Sequence, residues 1–180
     1  MGSLLFSPSG RIGSSEFMKG AIILIIIGAI IQLSGLVSYK LSLTLSMIGL
    51  VTIWCWVVLW VKRFHDGGKS GWMSLVVILV WIVIAMIISV VLMPILVPSM
   101  EADKLAMSEA MQAAGQSGDM GLVISTMMEY GDEMAKKSAI SNALMSAVIA
   151  GAVAYVANML IKHDPNDNQY GPSSEGSFFD

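Results

Sequence analysis

Residues 72–97 read WMSLVVILVWIVIAMIISVVLMPILV, twenty-six positions without one charged side chain. A helix that crosses a bilayer needs ~20 predominantly apolar residues, and a run this long is read as a membrane span. Three further runs follow the same rule. They are 21–37 (AIILIIIGAIIQLSGLV), 41–61 (LSLTLSMIGLVTIWCWVVLWV) and 139–161 (AISNALMSAVIAGAVAYVANMLI). The expected fold is all-α: a four-helix integral membrane bundle with spans at about 20–38, 41–62, 72–97 and 138–161. The first span is a little short and should begin earlier, near Phe17. Ser14 or Ser15 can cap it, and Glu16 places negative charge in its first turn. Pro94 should make the end of the third span irregular.

Composition agrees with this reading. The chain of 180 residues is 56% hydrophobic and 13% charged, with a mean hydropathy of +0.75. Soluble domains carry about twice that share of charge. A net charge of −3 excludes a nucleic-acid footprint. The lone cysteine, Cys55, cannot form an intramolecular disulfide and is expected to be buried as a small hydrophobe. No cofactor is expected. The expected partners are membrane lipids, and another membrane protein or a second copy of the chain.

Orientation follows from the basic residues near the span ends. Arg11, Lys19, Lys62, Arg63, Lys69 and Lys162 fall on one side, six of the ten Lys and Arg residues. The other side carries Lys40, Lys104, Lys136 and Lys137 among seven acids. Both termini are therefore expected in the cytoplasm.

The stretch between the third and fourth spans, residues 99–137, is not loop-like. Met100, Lys104, Met107, Met111 and Ala114 recur at spacings of three and four, as do Met120, Ile124, Met127, Gly131 and Met134. These are amphipathic helix patterns, and Gly115 and Gly118 should separate two of them. The expectation is an extracytoplasmic helical hairpin. Met107, Met111, Met120, Met127 and Met134 form a candidate partner surface, because methionine adapts to irregular partners. The plainer reading, packing of the stripe on its own hairpin or on the lipid interface, is favoured. Residues 164–180 are polar and expected to be irregular, and Phe178 and Phe179 could dock back on the protein.

The second-to-third connection runs from Lys62 to Trp72 and holds Arg63, His65, Asp66, Lys69 and Ser70. Gly68-Lys69-Ser70 resembles the end of a phosphate-binding loop. That loop needs a glycine where Arg63 stands and a strand before it, so nucleotide binding is set aside. A metal-dependent hydrolase needs more ligands than His65 and Asp66, and the only other histidine is His163. Two readings remain. In one, Arg63 pairs with Asp66 in a satisfied turn, with Trp72 at the interface. In the other, Arg63 and Lys69 hold a lipid phosphate or carboxylate.

Within the four apolar runs 21–37, 41–61, 72–97 and 139–161 no residue is Asp, Glu, Lys or Arg, which argues against ion-coupled transport. Ala139, Ala143, Ala147 and Gly151 make a small-residue face for close helix packing. Asn142 and Asn158 are expected to bond across helices.

Three segments together resemble one family. Gly10-Arg11-Ile12 with Glu16-Phe17, then Arg63-Phe64-His65-Asp66 with Gly68-Lys69-Ser70-Gly71-Trp72, then Asn168-Gln169-Tyr170-Gly171-Pro172 resemble the signatures of the bacterial inner-membrane family catalogued as domain of unknown function 805. The resemblance covers the N-terminal half and the tail. Ser14 and Met18 depart from its usual basic residue and tryptophan, and the Met-rich stretch looks like an insertion. The resemblance implies a bacterial inner-membrane protein with no established activity. The topology puts all three segments on one side of the membrane. Arg11, Arg63, His65, Asp66, Lys69, Ser70, Trp72 and Tyr170 are therefore expected to form one cytoplasmic cluster. The expected role is non-enzymatic, a scaffold or accessory subunit of a membrane complex. The alternative is a small transporter, channel or anionic-lipid-binding protein.

Overall fold

A computed structural model describes residues 2–174. The expected docking of Phe178 and Phe179 lies outside the described residues. Among the described residues six α-helices follow one another: α1 (Gly2–Phe6), α2 (Ser14–Leu33), α3 (Tyr39–Asp66), α4 (Ser74–Leu96), α5 (Ser99–Gln116) and α6 (Met120–Leu160). Short 3-10 turns at Ser34–Leu36 and Gly71–Met73 extend α2 and lead into α4. Among the described residues there is no strand, only an isolated bridge between Asn168 and Gly171. Four helical segments there are long and apolar enough to cross a membrane: Ser14–Leu36, Tyr39–Asp66, Gly71–Leu96 and Met120–Leu160.

The boundaries differ from the sequence expectation in ways that matter. The first span begins at Ser14, but no serine side chain caps it; Gly13 is the N-cap residue. Ser14 is instead buried, and its hydroxyl accepts a bond from Asn158 at 2.7 Å. A tertiary partner has taken the group that a cap would have used. The second span runs to Asp66, so Lys62, Arg63 and Asp66 belong to the helix and not to a loop. Ser38 caps its start, accepting the Leu41 N–H at 3.1 Å. Pro94 sits inside α4, which continues only to Leu96. Proline there removes one backbone donor from the last turn, and the helix ends two residues later.

The stretch 99–137 also differs. Its first arm is α5, and a turn at 117–119 follows. Its second arm is no separate helix but the beginning of α6, which passes without a break into the fourth span. Asp119 caps it, accepting the N–H groups of Gly121 and Leu122 at 2.8 and 3.2 Å. No proline interrupts Met120–Leu160, and the cost of starting a helix is met once.

The interior is small, as lipid-facing bundles allow. Phe17, Trp60 and Phe64 form an aromatic row with ring centroids 4.4 and 6.3 Å apart. Ile12, Ala21, Leu24, Cys55, Leu59 and Ala154 complete the core beside it, and Cys55 is buried as expected. The small face of α6 packs within the chain, chiefly on α2; Ala139, Ala143 and Ala154 are buried. Close approach replaces the hydrophobic drive that lipid does not supply. Most outward side chains of α4 are exposed apolar groups.

Candidate functional site

The ends of α3 and α6 and the start of α2 lie together, and Asp66 is where they join. Its carboxylate is fully enclosed, with 0% exposure. Oδ1 accepts the Arg11 Nε–H at 3.0 Å and the Ser174 hydroxyl. Oδ2 accepts Arg63 at 2.8 Å and the His163 Nδ1–H at 3.0 Å. Its main-chain carbonyl accepts the Asp164 N–H at 2.9 Å. Burying a charge is costly unless it is paired and fully bonded, and here both conditions are met.

The two arginines are equally committed. Arg63 sits one turn before Asp66 on α3, so the helix itself aligns the pair. Its Nε–H donates to the Asn158 side-chain oxygen, and its remaining donors reach the carbonyls of Asn158 and Ile161. Both carbonyls lie at the end of α6, where a cation is favoured by the helix dipole. Asn158 then donates to the Ser14 carbonyl and hydroxyl, at 3.3 and 2.7 Å. Arg11 approaches from the other side and donates to the carbonyls of Asp66, Asp164 and Asn166. Among the described residues no buried side-chain polar atom is left without a partner.

A second layer covers the first. The His65 Nδ1–H donates to the Gly10 carbonyl at 3.0 Å. Its ring stacks on Tyr170, 3.7 Å between centroids and 3° from parallel. Asn168 donates to the His65 carbonyl at 3.1 Å. The Asn166 N–H, the Asn168 amide and nearby Arg11 hold the Asp164 carboxyl below its ordinary value. Gly67 and Gly68 make the turn possible. A Cβ on Gly67 would lie 2.9 Å from the Lys162 carbonyl oxygen, and Gly68 takes φ +67°, where side chains are disfavoured.

Of the residues singled out in the sequence, Arg11, Arg63, His65, Asp66 and Tyr170 come together here. Lys69, Ser70 and Trp72 do not. Lys69 and Ser70 are exposed, Trp72 is 78% exposed, and the Ser70 hydroxyl only accepts the Trp72 N–H at 3.4 Å. Four members went unnoticed as site residues: Ser14, His163, Asp164 and Ser174. His163 was weighed only as a missing metal ligand, and Ser14 only as a cap. Nothing in the local pattern marks Ser174. The Met positions lie elsewhere. Met107, Met111, Met127 and Met134 are half-buried, while Met120 is exposed. Asn142 bonds within its own helix, to Ser138 at 3.2 Å.

The segments that meet at Asp66 are the ones that resemble a known family. A family model described as a protein of unknown function, DUF805, matches residues 5–172. The chain belongs to this family. The match runs through the Met-rich stretch as well as the motif segments. No curated protein and no solved structure gave a significant match. In this DUF805 member, residues from each of the three motif segments meet at one end of the bundle, with the side chains of Arg11, Arg63 and Asp66 buried and Asn168 and Tyr170 half-buried over them.

Proposed function

We propose that this protein is a non-enzymatic component of the bacterial inner membrane, a scaffold or accessory subunit whose motif cluster locks the bundle together. The observation that carries the reading is the enclosure of Asp66 and Arg63, which are 0% and 2% exposed. A catalytic group has to reach a substrate, whereas these donors and acceptors are spent on one another. The cluster ties the segment before α2, the end of α3, the end of α6 and the tail into one clasp.

Six of ten basic residues lie at the clasp end of the chain's four spans, which supports a cytoplasmic position for the clasp and both termini. The opposite end carries α5 and the first half of α6. Leu105, Met120, Leu122 and Ile124 are 62, 70, 46 and 52% exposed there. These residues, more than the half-buried methionines, form the partner surface of this reading. The alternative of anionic-headgroup binding loses one of its two cations, because Arg63 is enclosed.

The test is affinity purification from native membranes in mild detergent. The wild type is expected to bring down one stoichiometric partner, or a second copy of itself. A Leu105→Ser, Leu122→Ser, Ile124→Ser variant of the same melting temperature is expected to lose it. A wild-type protein that purifies as a monomer with nothing attached would overturn the reading.

A further inference from the structure

The bundle is not closed. An apolar cavity of about 440 Å³ lies between α2, α3, α4 and α6, with Gly28, Gln32, Gly49, Trp56, Trp81 and Ala150 among its walls. Native interiors hold few voids larger than a water molecule, because empty space forfeits dispersion contacts. Water is no remedy in so apolar a space. The cavity exists because glycines and alanines stand where large side chains would meet. A Cβ added at Gly28 or at Gly49 would touch nothing within 4 Å.

Its mouth faces the membrane. Leu50, Ile53 and Trp81 line it and are 63, 59 and 40% exposed, and α3 and α4 touch only sparingly. At the α5 end, Gln32 is shared with a second cavity of about 260 Å³, whose walls include Tyr39, Ser42, Met134 and Asn142. Apolar walls at membrane depth thus continue into a pocket of uncharged hydrogen-bonding groups. Gln32 stands near the end of α2, four residues before the first span ends at Leu36.

The geometry points to a binding site for a membrane glycerophospholipid, with one acyl chain between the spans and its ester region at Gln32. A partner helix is a poorer occupant. A helix is a cylinder ~10 Å across, and α3 and α4, which still touch beside the cleft, would have to part to admit one. A thin flexible chain follows such a cleft. The Gln32 amide can donate to an ester carbonyl, and Ser42 and Tyr39 lie beyond it. The absence of cations among these lining residues assigns specificity to the chain and ester region, and not to an anionic phosphate.

The experiment uses the full chain in nanodiscs of phosphatidylethanolamine and phosphatidylglycerol. The probe is a phosphatidylcholine with a photoactivatable diazirine midway along one acyl chain. Labelling is expected on cavity-facing positions of 24–32 and 49–56, and excess unlabelled phosphatidylcholine should suppress it saturably. In Gly28→Leu/Gly49→Leu, whose side chains occupy the same volume, labelling there should fall about tenfold or more. Circular dichroism and melting are expected to hold or improve, since leucine is the better helix former. Labelling of the unmodified protein that is spread over all lipid-facing positions and never saturates would overturn the proposal, as would full labelling in the filled variant. The wild-type map decides the matter even if the double variant fails to fold.

Discussion

At the residue scale, Asp66 is the position on which most depends. Removing one partner of a buried, bonded ion pair costs ~3–5 kcal/mol, because the remaining charge stays buried and unpaired. Asp66→Asn leaves Arg11 and Arg63 facing each other without a compensating carboxylate. It is expected to lower stability by about that amount in denaturation by heat or chemical denaturant in detergent. Asp66→Asn combined with Arg63→Met should cost less than the two single changes added together, because both act on one network. Asp164 gives a pH dependence. Its folded-state pKa lies below the ordinary value, so its contribution is present above the unfolded pKa of ~3.9. That contribution is lost as pH falls through the folded value. The wild type should therefore melt above Asp164→Asn at neutral pH, and the two curves should converge in acid.

At the scale of the element, the tail and α6 show how context overrides local reading. Residues 163–174 look like an irregular polar end, and they are irregular. They are nevertheless docked, because Asp66, Arg11 and His65 offer them fixed donors and acceptors. A methyl group at Gly67 would press on the Lys162 carbonyl. Gly67→Ala is expected to loosen the tail at a cost of ~1–3 kcal/mol, seen as faster limited proteolysis between residues 163 and 174. The 41 residues of α6 extend roughly 60 Å at ~1.5 Å per residue, about twice what a bilayer core needs. The helix is therefore longer than a span requires. Its amphipathic pattern and the apolar pattern of the span are both helical. A period alone cannot say that one helix carries both.

The whole molecule is a bundle clasped at one end and open in the middle. If the clasp is cytoplasmic, a single cysteine at Leu122 in a Cys55→Ser background should react with a membrane-impermeant thiol reagent applied from outside the cell. A cysteine at Ser173, beside His163, should react only after the membrane is permeabilised. The reverse pattern would turn the molecule over. The clasp and the cavity also divide the stability of the bundle. Filling the cavity should hold or raise the melting temperature, whereas opening the clasp should lower it.

The number and approximate place of the spans were legible in the chain because lipid imposes a simple demand. Uncharged apolar runs of sufficient length cross, and charged residues gather at their ends. The common end of the three motif segments followed from counting spans. That count brought Arg11, Arg63, His65, Asp66 and Tyr170 to one face, without saying which would touch. Partnership was decided only in three dimensions. Ser14 gave up a cap for Asn158, and Lys62 to Asp66 became helix. His163 and Ser174 reached Asp66 across about a hundred residues of chain. A hydrogen bond depends on distances of a few tenths of an ångström between segments that one-dimensional spacing does not relate. The cavity is of the same kind. Nothing in the spacing of its glycines and alanines marks a cavity, and only the placement of four helices shows that Gly28 and Gly49 face open space.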